Sequence, residues 1–158
     1  MILVGHITST HAIKGELKVY SDFSLSDKVF CPSQKIWINK KEHEITSSRY
    51  HKNHYLITID NLFDINLVEN FRHQDVYIKR ESLHLKEGEY ILEDLIGMKV
   101  YEKQNYLGEI KNIVYNKGGK LLGIKSTHTF YIPFQDYFIK KVLLKKRIVE
   151  VENTKGLM

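Results

Sequence analysis

A chain of 158 residues, 42% hydrophobic and 27% charged, has room for one ordinary domain or two small ones and the balance of a folded protein, not a disordered one. Its apolar runs reach four or five residues, far short of the ~20 that cross a bilayer as a helix, and its single cysteine, Cys31, excludes an internal disulfide. The net charge of +5 is uneven: residues 1–85 carry 11 basic and 10 acidic groups, residues 86–158 carry 13 and 9, a bias that suits a polyanion such as RNA and equally an ordinary solvated surface.

The opening "MILVGHI" has neither the basic start nor the small-residue cleavage site of a secretory signal, so the expected location is the cytoplasm, with no membrane partner. From there "ILVGHIT", "ELKVYSD", "KIWINK", "HYLITID" and "DVYIK" predict strands, being short and rich in Ile, Val, Tyr and Thr. "SLSDKVF" predicts one helical turn, ended by Pro32. "DINLVENFRH" predicts another, with Ile65, Val68 and Phe71 on one face and Asp64 as its cap. The polar stretch from Glu81 to Glu89 is the expected linker.

A second strand-rich set follows: "GMKVYEK", "LGEIKNIVYN", "LLGIKST", "FYIPF", "YFIKKVLLK" and "RIVEVE". Turns are expected at Gln104-Asn105, Gly118-Gly119 and Lys145-Lys146. Leu107, Ile110 and Val114 would also fit a helix, but the density of Ile, Val and Tyr favours a strand with a bulge. The reading is an all-β chain of two small barrels, residues 1–84 and 85–158.

Residues for catalysis are scarce. Eight histidines invite a metal, but Cys31 has no CxxC partner, and His51 and His54 are expected on opposite faces of an extended segment. No glycine-rich loop opens a helix to cradle phosphates. Ser9, His11 and Glu16 supply the residue types of a nucleophile, base and orienting acid, yet a polar loop explains them more simply. The expectation is no enzyme, no metal and no cofactor.

Two stretches suit binding. "KKVLLKKR" places Lys140, Lys141, Lys145, Lys146 and Arg147 around an expected buried centre of Val142, Leu143 and Leu144. Its cations either meet phosphate or acidic protein, or blunt an edge strand. "EGEYILEDLIG" places Tyr90 and Asp94 at the junction of the halves, where Tyr90 either anchors a partner or seals the core.

"GHITSTHAIKGELKVYSD", "DINLVENFRHQDVYIKRESL", "GEYILEDLIGMKVYEKQNYLGEIKNIV", "FYIPF" and the terminal "TKGLM" together resemble, in order and over nearly the whole chain, the RimM family of ribosome maturation factors. The resemblance implies a six-stranded translation-factor-like barrel followed by a PRC-barrel. It implies a non-enzymatic assembly factor, expected as a monomer, on the head of the immature small ribosomal subunit. The implied partners are 16S rRNA, whose processing it assists, and the nineteenth small-subunit protein. It also makes Thr10, His11, Lys14, Gly15 and Glu16 the candidate ribosome-binding crown of the first barrel. There Lys14 would meet phosphate, Gly15 would open the second strand, and Glu16 would orient Lys14, accept backbone N–H groups or stitch the loop. Four positions depart from the family pattern. Ala12 replaces a glycine, which argues against a positive φ; Ile91 replaces the second of two tyrosines; Asn105 replaces a turn glycine; and Lys120 replaces a small polar or acidic residue. A general RNA-binding β-barrel adaptor acting elsewhere in translation is the alternative.

Overall fold

The computed structural model describes Met1–Met158 and resolves the alternating patterns into twelve strands and a few short helical turns. The chain divides into two compact units, Met1–Lys86 and Glu87–Met158. No helix is long and apolar enough to cross a membrane.

The first unit contains β1 (Ile2–His11), β2 (Glu16–Tyr20), α1 (Ser26–Val29), β3 (Lys35–Ile38), β4 (Lys41–His51), β5 (His54–Ile59), α2 (Ile65–Val68) and β6 (Asp75–Ile78). They close into a barrel in the order β1-β2-β5-β4-β3-β6, and β6 pairs back onto β1 through Ile2↔Ile78. Closure leaves no open ladder edge. The interior follows from the period of two: Leu17 and Val19, Ile36 and Ile38, Val76 and Ile78 all point inward and are buried. The Asp64 side chain accepts the Asn66 N–H at 2.9 Å, starting α2, which buries Val68. After α1, Phe30 stacks on Tyr55 with ring centroids 4.8 Å apart.

Three expectations need correction. β4 was not predicted, because "KEHEITSSRYH" contains only one buried side chain, Ile45, and its two neighbouring strands make it a strand. His51 and His54 pair directly across the two-residue turn Lys52-Asn53, so they share a face and do not oppose one another. The expected linker begins inside the first unit. Arg80–Leu83 form a 3-10 turn, Leu83 is 3% exposed, and the Ser82 carbonyl accepts from Gln34 Nε2 at 3.3 Å.

The second unit starts with a 3-10 turn, Leu92–Leu95, that the sequence did not suggest. Its strands are β7 (Lys99–Glu102), β8 (Asn105–Asn116), β9 (Gly119–Lys125), β10 (Thr129–Pro133), β11 (Ile139–Leu143) and β12 (Ile148–Val151). Their order is β10-β9-β8-β7-β12-β11, with β12 parallel to β7 and the other pairs antiparallel. Leu92, Leu95, Val100, Ile110, Ile124 and Val149 belong to one core. The bulge expected in β8 falls between Ile110 and Asn112. Two turns sit one residue earlier than expected, at Lys103-Gln104 and Lys117-Gly118, so Asn105 opens a strand and Lys103, with φ 56°, takes the left-handed position.

Candidate functional site

The loop between β1 and β2 is braced from outside its own sequence. The Ile65 N–H donates to the Ile13 carbonyl at 3.2 Å, tying the loop to the start of α2. Gly15 sits at φ +79°, and a Cβ there would lie 2.6 Å from the Leu62 carbonyl oxygen, so only glycine allows this approach. Ala12, against expectation, also adopts positive φ, 56°, a conformation that costs an L-residue roughly 1–2 kcal/mol. The tie to α2 and the packing of Gly15 fix the loop strongly enough to hold it there.

Glu16 does not orient Lys14. Both of its oxygens accept from Arg49: Nε at 2.9 Å and Nη2 at 2.9 Å, a two-pronged fork with the Glu16 side chain 17% exposed. The Arg49 hydrogen bonds pull the Glu16 carboxyl below its ordinary value against the opposing effect of burial, and the charges of Arg49, His11 and Lys14 add to the pull. Thr10 Oγ1 donates to Glu69 Oε1 at 3.2 Å, and the His11 ring lies 6.0 Å from that of His51. Lys14 is exposed at the tip. Beside it stand three exposed apolar side chains, Ile13 at 77%, Phe63 and Leu67, which the sequence did not single out. Arg49 was also missed, being 33 residues from Glu16 and on another strand.

The basic run of the second unit is not one patch. β11 is an outer strand of the sheet, and Lys141 on it faces Glu150 across the ladder. Lys140 instead shares a recess with Lys103, Gln104, Asn105 and Glu150. Lys145 Nζ lies 3.6 Å from a Glu87 carboxylate oxygen, with both side chains largely in solvent. Arg147 reaches back to donate to the carbonyls of Asp94, 3.3 Å, and Ile96, 3.2 Å. It caps the end of the Leu92–Leu95 turn, where carbonyls lack helical partners. Val142, Leu143 and Leu144 are half-buried, not buried, and line a groove with Gly88 and Lys146.

Tyr90 is partly buried against the core of the second unit, and this burial raises its hydroxyl pKa. Asp94 Oδ2 accepts the Ile91 N–H at 3.1 Å, so its carboxylate is already used to begin the 3-10 turn. Ile91, where the family pattern has a tyrosine, is 4% exposed and contributes to the interior.

No three His, Cys, Asp or Glu side chains gather closely enough to hold a metal ion. The fold and these surfaces define a two-module β protein: a closed six-stranded barrel with a braced loop, then a six-stranded sheet with lysines on its outer strand and turns. The RimM N-terminal domain profile matches residues 2–83, and the RimM PRC barrel domain profile matches residues 92–157. The chain belongs to the RimM family. Ribosome maturation factor RimM of Oenococcus oeni is 32% identical over 158 residues, covering 98% of this chain and 95% of that protein. The protein of the same name from Staphylococcus haemolyticus is 29% identical over 162 residues, covering 98% and 97%. The crystal structure of a RimM 16S ribosomal RNA processing protein from Pseudomonas aeruginosa, 19% identical and covered to 96% on both sides, gives a TM-score of 0.43, too low to argue from.

Proposed function

We propose that this protein is a non-enzymatic assembly factor of the small ribosomal subunit. It binds the head of the immature 30S particle in the cytoplasm as a monomer and assists its maturation and 16S rRNA processing. The observation that carries this reading is the presence of both family domains, in order and over nearly the whole chain. The geometry supports it with a rigid loop tip whose lysine is exposed, the form expected of a group that must meet phosphate at a fixed place. In this reading Thr10, His11, Lys14, Gly15 and Glu16 place the protein on the subunit. Tyr90 anchors the nineteenth small-subunit protein, with Asp94 shaping the backbone that carries it.

The test is recovery of the tagged full chain from a lysate of its own cells. Immature small subunits containing the nineteenth protein are expected in the recovered fraction, and Lys14→Gln should reduce them. Recovery of bare RNA alone, without ribosomal proteins, would replace this reading with a general RNA-binding adaptor. Tyr90→Ala should weaken capture of the purified nineteenth protein by about 2 kcal/mol, the scale of an aromatic anchor. A fall in thermal stability with unchanged affinity of the folded fraction would make Tyr90 a core residue only.

A further inference from the structure

The outer wall of the first barrel carries a recess that the loop-centred reading leaves unused. Trp37, the chain's single tryptophan, pairs directly with Tyr77 on β6. Tyr77 pairs in turn with Leu3 on β1, so the three side chains form a row on the solvent face of three neighbouring strands. Their strand neighbours Ile36, Ile38, Val76 and Ile78 point the other way, into the core. Both rings remain partly exposed, although each is large enough to have been buried.

The recess at these rings has a volume of about 480 Å³, within the range of small-molecule sites. Its rim is made by two tight backbone features: the turn Asn39-Lys40, with φ of 49° and 65°, and His73, with φ 66°. Lys40 lines the recess, and Lys79 holds its ammonium 4.7 Å from the Trp37 ring centroid. Neither lysine is held in an ion pair. Two carboxylates are close. Asp75 is bound to His6 Nδ1 at 2.8 Å, and Glu42 pairs across the ladder with Trp37.

We propose that this recess receives an unpaired RNA nucleotide, with its base against Trp37 and Tyr77 and its flanking phosphates toward Lys40 and Lys79. The chemistry selects this occupant on two grounds. Aromatic faces take any base once it is unstacked, whereas a duplex keeps its base faces covered. Two exposed ammonium groups without ion pairs, Lys40 in the recess and Lys79 over the indole, match a phosphate on either side of that base. Lys79 now covers the indole face as a cation does, and on binding it needs only to swing from ring to phosphate. The inference rests on the reading of the protein as a partner of rRNA, and adds a second point of RNA contact away from the β1–β2 loop.

Because Trp37 is the only tryptophan, its emission, excited at wavelengths that the ten tyrosines do not absorb, reports this recess alone. Titration with unstructured ten-nucleotide oligo(U) and oligo(A) at low salt should quench it saturably. The quenching should weaken as salt rises. Tyr77→Leu should raise the half-saturation concentration at least about fivefold, the lower end for loss of one base–aromatic stack. Lys40→Gln with Lys79→Gln should flatten the salt dependence by up to about two units. Four results would overturn the proposal: no quenching by either oligonucleotide, oligonucleotide binding seen by anisotropy with tryptophan emission unchanged, equal quenching by an RNA duplex, or saturation by UMP or AMP at the same nucleotide concentration. The last would make the site one for free nucleotides. Co-sedimentation of the Trp37→Leu variant with immature small subunits separates the two readings. Its retention alongside weakened quenching in Tyr77→Leu leaves the assembly role standing, whereas failure of the unaltered chain to co-sediment removes that role itself.

Discussion

The β1–β2 loop and the run from Lys140 to Arg147 make an instructive pair. Each concentrates polar residues in a short stretch, and each looks in sequence like a surface for phosphate. In the structure the loop is a single braced object, fixed by a backbone bond to Ile65, the packing of Gly15 against Leu62, and the Arg49–Glu16 fork beside it. The run is five cations with different jobs: Arg147 caps a turn, Lys141 faces Glu150 on an outer strand, Lys145 approaches Glu87, Lys146 lines the groove of Val142, Leu143 and Leu144, and Lys140 lines a separate recess. The density of charge in a sequence therefore says little about binding until the strand and its position in the sheet are known. An outer strand uses lysine to resist pairing with other chains, whatever else those lysines touch.

The largest effect that would break this comparison belongs to Gly15. Gly15→Ala must give up both the φ of +79° and the 2.6 Å approach to the Leu62 carbonyl, at an expected cost above about 2 kcal/mol in denaturant unfolding. Gly156→Ala in the second unit, with nothing within 4 Å of the added carbon, should lie within about 0.5 kcal/mol of the unaltered chain. A tolerant Gly15→Ala would show the loop to be loose. The next effect divides the basic run. Lys145→Gln with Lys146→Gln should flatten the salt dependence of binding to immature subunits by up to about two units, if both meet phosphate. Adding Arg147→Gln should leave that slope alone and instead lower stability by about 1 kcal/mol, through loss of its two carbonyl bonds. A further drop in slope on the third change would return Arg147 to the binding surface.

Smaller effects sharpen the view of the loop. Ala12→Gly should stabilise the chain by up to about 1 kcal/mol, since glycine removes the left-handed penalty at φ 56° while adding freedom to the unfolded chain. The smallest is the acid response of Glu16. Its carboxyl titrates below the ordinary 4.5 when folded, so the contribution of the fork is complete above that value and disappears as pH falls through the lower folded one. Melting temperatures between pH 6 and pH 3 should fall more steeply for the unaltered chain than for Glu16→Gln, and parallel curves would show the fork to be inconsequential.

Much of this fold was legible because its strands obey local rules. "ELKVY" and "KIWI" alternate cleanly, and the bulge in β8 could be read from a strand that also carried helical spacing. β4 was not legible, because its solvent-facing residues outnumber the single buried Ile45 and its identity comes from β3 and β5. Leu83 looked like part of a linker because its neighbours are polar, and only the barrel supplies the space it fills. At the candidate site the motif from His11 to Glu16 was visible as a string. Arg49 and the Trp37–Tyr77 pair were invisible, since each depends on strands brought together by barrel closure.

The parallel pairing of β12 with β7 sets the order of events when the protein is made. β12 lies between β7 and β11, with Val149 and Val151 in the core, so an interior position of the second sheet is filled by the last of its six strands to be synthesised. Until residue 151 has been made, β7 lacks a neighbour on that side, and its exposed backbone is open to pairing with another chain. The first unit holds its closing strand, β6, by residue 78 and can fold while the second is still being translated. Nascent-chain experiments should therefore find protease resistance arriving in two steps, the second only after β12 has emerged.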